Sequence, residues 1–243
     1  DINYYRDMGY LPEAMVNYLG MMGWTMPDGR EKFSLPEMEQ SFDIDRVSLG
    51  GPVFDIDKLN WLNGKYIRED LDTETFAELY AEWAFDAERL KQVIPLVKER
   101  VERFSDVIPL AGFFLSGLLP VTEGDFAHKQ LDTEQSRELL QLMAWQLEQL
   151  PQWDKPAIEQ ACRRLSAFKG LKIRETLFPL FVAVTGRAVS VSVIDSMVIL
   201  GLDVTRARLR YAVEVLGGVS KKQAKALEKT FRDLQDFELP ESE

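Results

Sequence analysis

Two side chains that do much of biological chemistry are almost missing: the 243 residues hold one cysteine, Cys162, and one histidine, His128. A single cysteine excludes an internal disulfide and fits a reducing cytoplasm. The pair cannot build a zinc site of the His/Cys type, which takes four such ligands when structural. Cys162 shares an apolar helical face with Ile158, Ala161 and Leu165, so it reads as a small core residue rather than a nucleophile. His128 sits beside Lys129 in a polar linker and reads as an exposed side chain without a catalytic partner. Long apolar runs are missing as well. None approaches the roughly 20 residues a membrane span needs, and no signal peptide opens the chain. There is no G-x-G-x-x-G and no Walker loop. The Gly50-Gly51-Pro52 turn lacks the following helix start that would make it a phosphate cradle. Asp55 and Asp57, two positions apart, read as turn formers rather than an acid–base couple. With no internal repeat and no active-site constellation, the chain is expected to bind rather than to catalyse.

What is present is ordinary for a globular protein: 46% hydrophobic and 28% charged residues, with a length that suggests one or two domains and a small further unit. The chain opens at Asp1 with no initiator Met, which raises the expectation of a piece of something longer. The net charge of −11 argues against nucleic acid if only the sum is considered, because phosphate binding rests on Lys and Arg. Local distribution matters more. Arg163, Arg164, Lys169, Lys172 and Arg174 follow one another with no acid between them; Arg206, Arg208 and Arg210 form a second group, and Lys221, Lys222, Lys225 and Lys229 a third. The bland reading of each run is a solvated helix face.

Helical periodicity dominates the chain. Leu11, Met15, Leu19 and Met22 repeat after a Pro12 suited to a first turn. Ser34 and Glu37 spell a capping box, as do Asp132 and Gln135. Asp72 opens a segment whose Phe76, Leu79, Tyr80 and Trp83 form one stripe expected to face a core. Leu90, Ile94, Val97, Val101 and Phe104 line another, with a kink or a restart expected at Pro95. Later faces are Leu139, Leu142, Met143, Leu147 and Leu150, then Ile158 to Leu165, then the buried run "LFPLFVAVTG" closed by Gly186. Segments near 191–200, 205–216 and 220–235 follow, parted by Gly201 and Gly217-Gly218. Strand candidates are few: Val47–Leu49 and Val53–Phe54. The expected fold is mainly α, with seams near residue 70 and near 120–132.

The stretch "VSLGGPVFDIDKLNWLNGKYIRE", residues 47–69, concentrates donors and large rings beyond what a core or a plain surface needs. Together with "YYRDMGYLPEAMVNYLGMMGWTMPDGREKFSLPEM" at 4–38, and "FPLFVAVTGRAVS" and "ILGLD" within 178–203, it resembles the bacterial glutamyl-tRNA synthetases. The resemblance runs to about residue 216 and is least distinctive over 70–150. It implies the C-terminal half of a class I aminoacyl-tRNA synthetase. The parts would be a stem-contact region at 1–70, a first helical anticodon-binding subdomain at 71–130 and a second, cage-like one at 131–243 with a C-terminal helix. The family's Lys-Met-Ser-Lys-type and His-Ile-Gly-His-type motifs are absent here. ATP, Mg and glutamate would therefore be bound outside these residues. The implied partner is tRNA(Glu), with no membrane and no DNA, in a cytoplasmic monomer.

The resemblance also implies roles. Lys58, Lys65 and Arg68 would meet phosphates, Asn60 and Asn63 would donate to phosphate or 2′-hydroxyl oxygens, and Trp61 would offer a plane to a sugar or base. Core packing is the alternative for Trp61 and for Tyr66. Arg100 falls on the arginine that reads the third anticodon base, with Arg103 as the alternative reader. Cytosine presents acceptors to a guanidinium where guanine presents N–H donors, so Arg100 implies discrimination between glutamate and glutamine tRNAs. The family usually has arginine where Phe181 stands, which leaves stacking but removes a donor; Arg187 is the candidate replacement. Ser190 and Val193 match positions lining the same pocket. Arg163, Arg164, Lys169, Lys172 and Arg174 would follow the anticodon-stem backbone. Two other readings remain open: a helical protein-interaction module that has lost RNA binding, and a relaxed enzyme that charges both tRNAs.

Overall fold

The computed structural model describes residues 2–48 and 50–239. Among these the chain forms twelve α-helices joined by turns and short 3-10 segments, with no strand, so the fold is mainly α as expected. Val53–Phe54 is irregular chain, and so are Val47 and Ser48. No neighbouring strand offers them a ladder; the Ser48 amide donates instead to the Gly23 carbonyl at 2.8 Å. Leu49, which ends the first strand candidate, lies outside the described residues, as do Asp1 and the last four positions of the expected 131–243 subdomain. Two compact units part between Asp86 and Ala87. The three-part division at 70 and 130 is a division by role and stands as a proposal.

The first unit holds α1 (Ile2–Asp7), α2 (Pro12–Met21), α3 (Leu35–Ser41), α4 (Ile56–Asp70) and α5 (Thr73–Ala84). Asp55 starts α4 by accepting from the amides of Asp57 and Lys58 at 3.0 and 3.1 Å, which satisfies two of the four orphan donors of a first turn. Leu59, Leu62 and Tyr66 then recur at helical spacing and pack against Ala14, Met15 and Tyr18 of α2. The buried face of α2 is rotated from the expected one, and Leu19 is exposed. Asn17 is buried at the centre of this contact. Its Nδ2 donates to the Glu31 carbonyl, and its Oδ1 accepts from the Phe33 amide, each at 3.0 Å. The Tyr66 hydroxyl lies 2.8 Å from the Phe33 carbonyl oxygen and 3.0 Å from Asn17 Oδ1. One carboxamide thus fixes the 31–33 loop over α2 and α4.

The stripe on α5 departs from expectation. Trp83 alone docks its ring, donating from Nε1 to the Asp7 carbonyl at 3.2 Å. Phe76, Leu79 and Tyr80 stay exposed, and the Phe76 and Tyr80 rings lie parallel to each other. Helical spacing gathers apolar residues on one face but does not supply a core to receive them.

The second unit contains α6 (Ala87–Val97), α7 (Val107–Ala111), α8 (Thr133–Glu148), α9 (Lys155–Lys169), α10 (Ile173–Thr185), α11 (Val193–Val215) and α12 (Lys221–Asp236). Its core comes from the faces the periodicity marks: Leu139, Leu142, Met143 and Leu147 on α8, Ile158, Ala161, Cys162 and Leu165 on α9, and Leu180 to Val184 on α10. Burial pushes the Cys162 thiol up to about 12, so it stays protonated and inert. His128 is half-buried against Phe178, with ring centres 4.6 Å apart, which corrects its reading as an exposed side chain. α6 runs through Pro95 and gives way to a 3-10 turn at Lys98–Arg100. Gly201, at φ 76 and ψ 169, breaks α11 into two helical parts, as the separate segments near 191–200 and 205–216 anticipate.

Candidate nucleic-acid interface

On α4 the candidate residues divide between two flanks of the buried stripe. Lys58, Trp61, Lys65 and Arg68 follow one another at three- and four-residue steps, so they share a face. Trp61 is 41% exposed, with the Lys58 and Lys65 ammonium groups 4.4 and 5.4 Å from its ring centre. Tyr66 is in the core, where burial raises its phenol above the usual range. Packing therefore accounts for Tyr66 and leaves Trp61 on the surface. Each cation over the indole contributes about 0.5–1 kcal/mol at such an exposed site. Lys58 also pairs with Glu31 at 2.5 Å, and Lys65 approaches Glu69 at 4.0 Å. The Arg68 guanidinium crosses Gly64, where a Cβ would lie 2.9 Å from it. Beside this face Lys32 bridges Glu69 and Asp70. Desolvation pulls its pKa down, but the hydrogen bonds to Asp70 and Glu69 outweigh that and hold it above the usual range.

Asn60 and Asn63 occupy the other flank. Tyr10 donates from its hydroxyl to Asn60 Oδ1, and the Leu11 amide donates to Asn63 Oδ1 at 2.9 Å. Their oxygens hold the turn between α1 and α2, leaving the amide nitrogens as donor ends.

In the second unit two candidates 90 residues apart meet. Arg100 donates from Nη1 to the Ser190 carbonyl at 3.1 Å. Arg103 is instead drawn to Asp106 at 3.1 Å. That hydrogen bond, helped by the Glu102 and Arg103 amides against some desolvation, holds the Asp106 carboxyl below its usual range. Of the two alternatives, Arg100 lies against the 186–192 connection. Gly186 turns the chain there at φ +76, with Leu119 3.6 Å from where a Cβ would stand. Any side chain would be strained at that φ. Just before it, Thr185 Oγ1 lies 2.8 Å from the Phe181 carbonyl and 3.3 Å from that of Arg187. Arg187 is exposed past the turn, while Phe181 is half-buried against the core. Val193 is 2% exposed, so it supports this surface from beneath.

The run from Arg163 to Arg174 does not form one stripe. Arg163, Lys172 and Arg174 are exposed. Lys169 pairs with Glu138 at 2.8 Å. Arg164 turns inward: its buried Nε finds no hydrogen-bond partner among the described residues, and it lines a cleft with Gln146, Gln160 and Phe231.

Arg208 was missed as a structural residue. It is 1% exposed and donates to the carbonyls of Gly117, Val184, Phe113 and Ser116 at 3.0, 2.5, 2.6 and 2.5 Å. Its neighbours Arg206 and Arg210 reach Glu148 at 3.9 and 2.6 Å. The signal is in the spacing: residues four apart share a helical face, so the middle one of an i, i+2, i+4 series points the other way.

Residues 75–213, more than half of the chain, match the family model described as anticodon binding domain. The chain belongs to that family. Residues 1–61 match the model described as the catalytic domain of class I tRNA synthetases (E and Q). The chain is 55% identical over 233 residues to a glutamate–tRNA ligase of Marinomonas sp. (strain MWYL1), covering 96% of this chain and 47% of that protein. Against the glutamate–tRNA ligases of Stutzerimonas stutzeri (strain A1501) and Cellvibrio japonicus (strain Ueda107) the identities are 52% and 48%. It thus spans about half the length of the curated relatives it matches. A solved glutamate tRNA ligase from Elizabethkingia meningosepticum, in complex with its amino acid, is 26% identical at a TM-score of 0.49, over 87% of this chain and 43% of that one. The resemblance in residues 4–38, 47–69 and 178–203 therefore extends to a family match across the less distinctive middle.

Proposed function

We propose that this chain is the tRNA-binding part of a glutamate–tRNA ligase, gripping the stem and anticodon of tRNA(Glu) in a cytoplasmic, monomeric enzyme, and inert in chemistry by itself. The observation that carries the reading is the Arg100–Ser190 contact. It brings a candidate reader of the third anticodon base against the connection that bears Arg187, the candidate donor for the first. An unpaired loop base can be held there by a rigid guanidinium and read at its Watson–Crick edge. The Trp61 face on α4 supports sequence-independent contact with sugars and phosphates, since a flat ring flanked by ammonium groups suits both.

ATP and Mg belong to the ligation reaction, and the described residues do not fit them. They contain no group of three or more His, Cys, Asp or Glu able to hold a metal ion, and the sequence has no Gly-rich phosphate loop. No step is assigned to them here. Among the described residues no helix is long and apolar enough to cross a membrane.

The second reading, a protein-interaction module, draws on the exposed Phe76, Leu79 and Tyr80 of α5. Filter binding of the chain to tRNA(Glu) across a salt series separates the two. A tRNA binder loses affinity steeply as salt rises, because condensed counterions are released on binding. Absence of binding at low salt would reject the tRNA reading.

A further inference from the structure

The third basic run, Lys221, Lys222, Lys225 and Lys229, belongs neither to the α4 face nor to the Arg100–Ser190 surface. All four lie on α12 and all are exposed. At about 100° per residue they fall within roughly 100° of one another around the helix. The opposite side carries Phe231 and Leu234, buried against the second unit's core, with Leu227 half-buried beside them. The Phe231 ring rests on Trp145, and Phe237, just past the helix, rests on Phe168. The helix is therefore anchored through one face and presents a lysine stripe on the other.

Two features argue that the stripe is more than a solvated face. First, among the described residues none of the four lysines has a carboxylate within ion-pair distance, whereas Arg206, Arg210, Lys169, Lys155 and Lys32 all do. Arg163, Lys172 and Arg174 also stand outside the ion pairs among the described residues, but only on α12 do four such cations gather on one helical face, in a chain of net charge −11. Second, Lys221 and Lys222 are the first two residues of α12, where the helix dipole disfavours cations. Helix stability does not explain them. A phosphate at that end would meet both the ammonium groups and the partial positive charge of the helix start.

We propose that the lysine face of α12 is a contact for an RNA sugar–phosphate backbone, adding sequence-independent affinity to the tRNA contacts elsewhere. This rests on the tRNA-binding reading above. The partner is a polyphosphate chain rather than a lipid surface. A helix lying on a membrane buries an apolar face in it, and here Phe231 and Leu234 are committed to the protein core.

The test compares the unmodified chain, the variant Lys221→Gln/Lys225→Gln/Lys229→Gln, and a charge-matched control, Lys91→Gln/Lys129→Gln/Lys155→Gln, in filter binding. The probes are a tRNA(Glu) transcript and one non-cognate tRNA, each over a salt series. The α12 variant should bind both RNAs ~10-fold or more weakly at low salt, with the salt slope reduced by about one per lysine. The control should stay within about twofold of the unmodified chain, and circular dichroism should show the same helicity for all three. An α12 variant that tracks the control in affinity and slope overturns the proposal while leaving the tRNA reading intact. So does a loss confined to tRNA(Glu), which indicates base reading rather than backbone contact. Capture of the chain by anionic vesicles that is lost in the α12 variant, with RNA binding unchanged, assigns the face to lipid and overturns it too. No binding of either RNA by the unmodified chain removes the tRNA reading itself.

Discussion

Arg208→Met should destabilise the second unit by about 3–5 kcal/mol, enough to lower its thermal midpoint by roughly 10 °C. Four carbonyls converge on Arg208. Phe113, Ser116 and Gly117 lie in and just after the 3-10 turn Gly112–Leu115, and Val184 lies in the last turn of α10. One guanidinium serves all four. Methionine fills a similar volume but donates nothing, and each buried carbonyl left without a donor costs about 1–3 kcal/mol. Lysine keeps the charge on a single nitrogen and cannot reach in four directions, so Arg208→Lys should fall between. A loss below about 0.5 kcal/mol in chemical denaturation would show that the four carbonyl contacts do not hold this part of the unit together. Val184 is two residues before Gly186, so the same substitutions should also loosen the connection on which Arg100 rests.

On the function proposed above, in a glutamate–tRNA ligase with this chain as its tRNA-binding part, Arg100→Gln should raise the charging of glutamine tRNA relative to glutamate tRNA. The guanidinium presents only donors, and its contact with the Ser190 carbonyl at 3.1 Å holds it across the surface instead of free in solvent. Cytosine at the third anticodon position offers acceptors to it. Guanine at that position turns N–H donors toward the same space, so donor faces donor and both are left unpaired. At about 1–3 kcal/mol for each buried loss, the discrimination is roughly 5- to 150-fold. Glutamine carries both a donor and an acceptor and accepts either base, so most of that ratio should disappear. An unchanged ratio would move the role away from Arg100. Arg103 is a poor substitute in this structure, since Asp106 already holds it.

The helices were largely legible, and for a physical reason. Caps such as Ser34 with Glu37 and Asp132 with Gln135 are local, formed between residues three apart, so the sequence alone contains them. The buried faces of α8 and α9 were legible because periodicity and burial coincide there. Where they part, reading failed: α5 shows the same periodicity, yet Phe76 and Tyr80 are exposed. On α4 the clustering of Lys58, Trp61, Lys65 and Arg68 was visible, but the use of Asn60 and Asn63 to hold Tyr10 and Leu11 was not. Those bonds link residues about 50 apart, and composition carries no trace of them. Arg208 was hidden for a related reason. A buried arginine that donates to carbonyls at Phe113, Ser116 and Gly117 needs a loop some 90 residues earlier in the chain, which no window of sequence includes. The Arg100–Ser190 meeting is equally long-range, and only the family resemblance pointed to both partners beforehand.

On the proposed function, unpaired anticodon bases lie on the Arg100–Ser190 surface and are judged there by hydrogen-bond polarity. The deciding measurement is the affinity of this chain for two tRNA(Glu) transcripts that differ only at the third anticodon base, C against G, at one low salt concentration. The G transcript should bind roughly 5- to 150-fold more weakly, and Arg100→Gln should bring the two together. Equal affinities for the two transcripts with the unmodified chain would contradict it.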